Sequence, residues 1–216
     1  NNAKQDAAKL ADKIHLALTS PIRIDGYEVM VSCSIGIALF PQDGDKANVL
    51  IRKAETAMYQ AKIIRSRTYQ FFQAAMTEYA QYKLEIENEL RIAIPNGDLK
   101  LQYQPQVDIH SNKIIGAEAL IRWQHETLGF ISPADFIPVA EKASLIVTLG
   151  QQIITQACQQ ISQWENQGLF DQLESISINI SPLQFEAPNF VEILEQEITT
   201  SGIDPAHLVI ELTETA

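Results

Sequence analysis

Ile114-Ile115-Gly116-Ala117-Glu118-Ala119-Leu120-Ile121-Arg122-Trp123 is the stretch on which the fold turns, an apolar opening that closes on an acid. Two later stretches repeat the pattern. Asn179 stands in Ile176-Ser177-Ile178-Asn179-Ile180, and Glu211 follows Leu208-Val209-Ile210. Parallel strands buried on both faces read as continuous Val/Ile/Leu runs, so an acid or amide at the exit of such a run marks where chemistry collects. Carboxylate and amide oxygens suit a hard divalent cation such as magnesium, manganese or calcium, not zinc or copper. Plainer alternatives stand beside this one: Glu118 as a buried acid paired with Arg122, Asn179 as a hydrogen-bonded core amide, Glu211 as a helix-cap acid.

Composition sets the outer bounds. The 216 residues are 46% hydrophobic and 20% charged, an ordinary folded chain with room for one large domain or two small ones. A formal net charge of −11 leaves no basic stripe for a nucleic-acid polymer, so none is expected as a partner. An anionic substrate would need a metal or a local arginine. Cys33 and Cys158 lie far apart inside predicted elements, which points to two free buried thiols in a reducing, cytoplasmic setting. The first residues form a polar amphipathic segment and not a secretory signal, and no apolar run approaches the ~20 residues needed to span a bilayer. No membrane contact is therefore expected from this segment, and any anchor of the parent protein would lie in other segments. His15, His110, His125 and His207 show no metal-ligand spacing and read as surface or turn residues.

The chain changes rhythm part way along. Ala7, Leu10, Ala11, Ile14 and Leu18 at helical spacing predict an amphipathic helix stopped by Pro21. Ile22 and Ile24, the Asp25-Gly26 turn, and alternating Val29, Val31, Cys33, Ile35 and Ile37 predict a hairpin with a long second strand. A helix over 47–61 and a short strand at Tyr69, Phe71 and Phe72 complete an α+β piece over residues 1–72. A long helical pattern from Ala74 ends at Pro95-Asn96-Gly97 and makes 73–97 the linking helix. Residues 98–216 then alternate strand and helix: strands over 99–107, 114–123, 175–180 and 208–212, helices over 133–143, 145–167 and 190–201. Such alternation predicts an α/β fold with a mostly parallel sheet or barrel. Four strands with their helices amount to the first half of an eightfold (β/α)8 TIM-like barrel.

The string Gly116 to Trp123 (GAEALIRW) resembles the EAL family of cyclic di-GMP phosphodiesterases. The match extends through Tyr103-Gln104-Pro105, Phe136-Ile137-Pro138-Val139-Ala140-Glu141, Leu149-Gly150, Ala157-Cys158 before Trp164, Ser177-Ile178-Asn179-Ile180-Ser181 and Glu211-Leu212-Thr213-Glu214, all in the family's order. The resemblance implies hydrolysis of one phosphodiester bond of cyclic di-GMP to the linear dinucleotide pGpG. It assigns Glu118, Asn179 and Glu211 as ligands of Mg2+ or Mn2+, and Glu118, Glu211 and the loop-supporting Glu214 to catalysis. Arg122 matches a phosphate contact, with Gln104, Leu120 and Pro138 as further substrate-binding positions.

The first 72 residues resemble the C-terminal part of a GGDEF domain, the diguanylate cyclase fold, on Val31-Ser32-Cys33-Ser34-Ile35-Gly36-Ile37-Ala38 and on 54–62, Ala-Glu-Thr-Ala-Met-Tyr-Gln-Ala-Lys. Departures shape what is expected of each part. The signature loop of the GGDEF family would precede residue 1, and Arg65, Ser66 and Arg67 stand where that family usually has Gly, a basic residue and Asn, so no cyclase activity is expected. The EAL family's paired aspartates, catalytic lysine and a later glutamate belong beyond Thr215, so hydrolysis is expected of the complete protein and not of this stretch alone. A catalytically inactive cyclic di-GMP receptor is the alternative, although a pure receptor need not keep the metal shell. The helix stripe of Tyr79, Tyr82, Ile86 and Leu90 reads first as inter-domain packing; a homodimer is also expected, with that stripe or an open sheet edge as the contact.

Overall fold

The computed structural model describes residues 2–63 and 69–213, and contacts divide the chain into two units, residues 1–82 and 83–216. The first unit runs through α1 (Asn2–Leu18), β1 (Ile22–Ile24), β2 (Tyr27–Val29), β3 (Ile35–Ile37), α2 (Ala47–Ile63) and β4 (Tyr69–Phe71) to the start of α3 (Ala74–Asn96). Asp25 and Gly26 both adopt positive φ, 49° and 87°, the backbone a tight hairpin turn requires. The long second strand expected after that turn is two strands. Val29 pairs with Ile22, where β1 ends, and the chain finds a new partner only at Ile35–Ile37, which run parallel to β4. Alternating side chains alone do not extend a strand whose neighbour has run out. Gly36 marks the tightest approach in this unit: a Cβ there would lie 1.9 Å from the Ala54 carbonyl oxygen, so the α2 backbone rests directly on β3.

The second unit holds the rest of α3, then β5 (Leu99–Val107), β6 (Ile114–His125), β7 (Gly129–Ile131), α4 (Pro133–Lys142), α5 (Ile146–Asn166), β8 (Ser175–Ile180), α6 (Pro182–Phe185), α7 (Phe190–Ser201) and β9 (Leu208–Leu212). Its sheet has the order β5-β6-β8-β9, and β7 pairs with the end of β6. The pairs β6/β8 and β8/β9 are parallel, joined through helices as the alternation predicts. The pair β5/β6 departs from that prediction and is antiparallel. Residues 108–113 are the only link between these two strands, far short of the dozen or so a crossover needs. The short β7 and α6 are further additions to the predicted set.

Side-chain alternation sorts this sheet into two faces. Leu99, Ala117, Ala119, Ile121, Trp123, Ile176, Ile178 and Ile180 are buried and share one face. The apolar stripe of α5 (Leu149, Ile153, Ile154, Ala157, Cys158, Ile161) and the Phe136 side of α4 are buried with them. Trp123 meets Phe136 edge-on at 5.7 Å between ring centroids. Burying a side chain of this size contributes about 1.5–3 kcal/mol, so this layer fixes the sheet on its helices. Gln156 of α5 also closes the outer edge of β5, donating to Leu99 O at 3.0 Å and accepting from Leu101 N at 3.3 Å. Gln152, one turn earlier, donates to Ile94 O.

Burial in this layer pushes the Cys158 thiol up to about 11, with the Glu197 carboxylate adding to the effect. A raised pKa keeps the thiol protonated and unreactive at neutral pH. Cys33 in the first unit is only half-buried, not buried as expected, and is the more accessible thiol. Titration of the native protein with a chromogenic disulfide near pH 8 is expected to report one fast thiol per chain, and two once denaturant is added. Two fast thiols in the native state would contradict the packing described for α5.

Candidate active site

The opposite face of the second-unit sheet carries the polar residues, and register decides which of them are neighbours. Gln104 of β5 lies directly across from Glu118 of β6, and Ser177 of β8 flanks Glu118 on the other side. Asn179, two positions further along β8, lies beside Glu211 of β9. Because residues two apart share a face, all five point to the same side. Asn179 Nδ2 donates to Glu118 Oε1 at 2.6 Å, which ties β8 to β6 through their side chains. Two strand spacings of about 4.8 Å, and an offset of two residues along the strands, separate the backbones of Glu118 and Glu211. Glu118 is not at a strand exit as its sequence context suggested, for β6 continues through Ile121 and Trp123 to His125.

The donor set suits a hard cation. Asn179 uses its amide nitrogen on Glu118, leaving Asn179 Oδ1 and Glu118 Oε2 as acceptors beside the Glu211 carboxylate. Ser177 Oγ, on the same face and 4% exposed as a residue, has no hydrogen-bond partner among the described residues. Buried polar atoms are normally satisfied, so an orphaned hydroxyl beside Glu118 fits a site completed by a bound group. Two carboxylates and an amide share this face, and among the described residues no group of three or more His, Cys, Asp or Glu forms a metal cluster.

A cavity of about 200 Å³ is lined by Leu120, Arg122 and Asn179 of the polar face together with Ala119, Ile121, Leu149 and Ile153 of the helix-packed layer, and by Pro133, Ile137 and Thr213. Arg122 makes no ion pair with Glu118; its Nη1 donates to Ile121 O at 3.0 Å. Pro138 is exposed on α4, and Pro133 and Ile137 of the same helix line the cavity. Gln104 is exposed on β5. Glu214, like the Arg65-Ser66-Arg67 stretch, lies outside the described residues. Thr213 N donates to Ile180 O at 3.1 Å and continues the β8/β9 pairing past Glu211.

Packing around the site uses residues that no motif singled out. Lys83 of α3 donates to Asp135 O at 2.7 Å and to Asp135 Oδ1 at 3.1 Å, gripping the first turn of α4. Glu89 of α3 reaches His125 Nε2 at the end of β6 at 3.1 Å. His125 Nδ1 accepts from the Leu128 and Thr127 backbone N–H groups at 3.2 and 3.3 Å, so the ring proton sits on Nε2 and is donated to Glu89. His207 is likewise held, with Nδ1 2.6 Å from Glu165 Oε1 and its ring stacked on Phe170. His125 is a turn residue, as its spacing suggested, and both histidines are also held by a distant carboxylate. Their partners lie 36 and 42 residues away, beyond the reach of local pattern.

Past Asn179 the chain turns through α6, whose Ser181 and Gln184 cap each other reciprocally. Gln184 is buried, and Gly150 of α5 abuts it so closely that a Cβ would fall 1.7 Å from Gln184 Nε2 and 2.8 Å from its Cδ. Glycine at position 150 therefore leaves room for the cap that ends β8.

Comparison with known proteins places the molecule among relatives. The EAL domain family model matches residues 87–216, and that described as diguanylate cyclase, GGDEF domain, matches residues 1–67. The bifunctional diguanylate cyclase/cyclic di-GMP phosphodiesterase MucR of Pseudomonas aeruginosa is 39% identical over 209 residues, 97% of this chain and 30% of MucR. The oxygen sensor protein DosP of Escherichia coli is 32% identical over 213 residues, 99% of this chain and 26% of DosP. The chain thus spans under a third of these relatives. Among solved structures, the P. aeruginosa MucR phosphodiesterase in complex with c-di-GMP aligns with TM-score 0.57 and 36% identity, over 60% of this chain and 52% of that one. The EAL enzyme Bd1971 bound to cAMP and cyclic di-GMP aligns with TM-score 0.58 and 28% identity, over 80% of this chain and 45% of that one.

Substituting Gly150→Ala is expected to displace Gln184 and loosen the corner that follows Asn179. Overpacking of this kind costs about 1–3 kcal/mol, read as a lower urea midpoint with an unchanged m-value. An unchanged midpoint would show that the cap can move aside freely.

Proposed function

Since this chain belongs to the EAL domain family, with a GGDEF domain segment at residues 1–67, we propose that the complete protein hydrolyses cyclic di-GMP to linear pGpG in a metal-dependent reaction. The observation that carries this reading is the Asn179–Glu118 hydrogen bond at 2.6 Å, with Glu211 in register beside Asn179 on the same sheet face. Residues 73–97 are the link between the GGDEF and EAL segments, and the reaction belongs to residues 98–216 together with the rest of the EAL domain.

Glu118, Asn179 and Glu211 would hold Mg2+ or Mn2+ through oxygen atoms alone. Such a cation, when bound, offsets phosphate charge and lowers the pKa of the attacking water. Asn179 keeps the Glu118 carboxylate oriented by donating to one of its oxygens, which leaves the second free for the site. Arg122 offers a planar guanidinium to a substrate phosphate, a role a flexible ammonium fills less well. Leu120 presents an apolar surface from the same strand face, and Gln104 contributes an amide across from Glu118. Pro138 and Glu214 complete the assignment as a pocket position and a loop support. Water adds to phosphorus, the bond to one ribose oxygen breaks, and that oxygen leaves protonated. The ring opens into a linear dinucleotide with one terminal phosphate.

Full-length protein supplied with Mg2+ or Mn2+ is expected to convert cyclic di-GMP to a single linear product by chromatography. Glu118→Gln, Asn179→Ala and Glu211→Gln should each lower kcat/KM by about a hundredfold or more, while the fold is retained by circular dichroism. Absence of turnover by the metal-supplied parent protein would reject the enzyme reading.

A further inference from the structure

Lys100 of β5 lies directly opposite Arg122 of β6 in the antiparallel register. Leu99 O and Leu101 N face outward to Gln156, so the backbone groups of Lys100 face β6 and place the Lys100 and Arg122 Cα atoms about 5.5 Å apart. Like charges directly across two strands are destabilising. The chain holds 27 acidic residues against 16 lysines and arginines, yet among the described residues neither cation forms an ion pair. Within β5 and β6 the acid of this face is Glu118, which is engaged by Asn179, and Asp98, just before β5, forms no ion pair with either cation among the described residues. The other face positions of β5 are Gln102, Gln104 and Gln106, all uncharged. The sheet face is therefore polarised, with two unmatched cations at one end and the oxygen-ligand set at the other. Arg122 lies four residue steps along β6 from Glu118, roughly 13 Å along the strand.

From this juxtaposition we propose that Lys100, with Arg122, binds the phosphate of the cyclic dinucleotide that is not cleaved. The inference rests on the cyclic di-GMP reading and adds Lys100 as a binding residue. An anion between the two side chains removes their mutual repulsion, so the pair is strained without ligand and satisfied with it. Distance from Glu118 keeps these cations off the reacting phosphorus. Their contribution is uniform binding, which lowers KM and leaves kcat unchanged.

The test compares full-length wild type with Lys100→Met and Lys100→Arg by calorimetric titration with cyclic di-GMP, by steady-state kinetics and by thermal melting without ligand. Lys100→Met is expected to weaken binding and raise KM by about fivefold, with a shallower salt dependence and kcat within about twofold of wild type. Lys100→Arg should stay within about twofold of wild type in every measure, and ligand-free Lys100→Met should melt no lower than wild type. Binding by Lys100→Met equal to wild type would overturn the inference and leave the cyclic di-GMP reading intact. A lowered ligand-free melting temperature with unaltered salt dependence would also overturn it, since that is the behaviour of a structural lysine. No binding by wild type would remove the cyclic di-GMP reading and this inference together.

Discussion

A hydrogen bond between Asn179 and Glu118 exists only because β6 and β8 are held in one register, and the site depends on that alignment. A slip of one residue would turn Asn179 toward the helices and bring Ile178 or Ile180 to the polar face. The isoleucines of β8 prevent it. Ile176, Ile178 and Ile180 are fully buried, so each alternative register exposes apolar surface and buries the amide. Hydrophobic burial on one face thus sets the positions of oxygen atoms on the other. The chemistry of the site is inherited from packing that never touches it.

A second layer of restraint comes from long polar side chains on helices. Gln156 satisfies the backbone of β5, Lys83 grips the start of α4, and Glu89 fixes His125 beyond Arg122. Each contact joins helix α3 or α5 to a strand or helix end that carries a residue of the site or cavity. A carboxylate that must orient a ligand needs neighbours whose own rotamers are fixed, and these links supply such neighbours.

Much of this was legible in the sequence, for identifiable reasons. Glu118, Asn179 and Glu211 stood out because each interrupts an apolar run, and β8 and β9 fell where those runs lie. That the three share a face was not legible, since it follows from the register Glu118/Ser177 and Asn179/Glu211, which only strand pairing establishes. The antiparallel β5/β6 pair was foreshadowed by its short link, but the rhythm of strands and helices outweighed that signal. The strand read through Val29 to Ile37 was divided because alternation reports burial and says nothing of where a partner strand stops. Lys83, Glu89 and Lys100 could not be recognised locally, because each acquires meaning from a residue far along the chain. Pro138 was singled out by its motif, while its neighbour Ile137 lines the cavity.

The amide of Gln156 gives the sheet a direction. At the start of β5 it occupies both the carbonyl and the N–H that a new neighbour would need, and β9 stands at the other end of the strand order. A strand joining beside Leu99 and Leu101 would first have to evict that side chain, whereas among the described residues no side chain bonds the backbone of β9 in this way. Growth of this architecture is accordingly one-way, like a zip with a stop crimped at a single end.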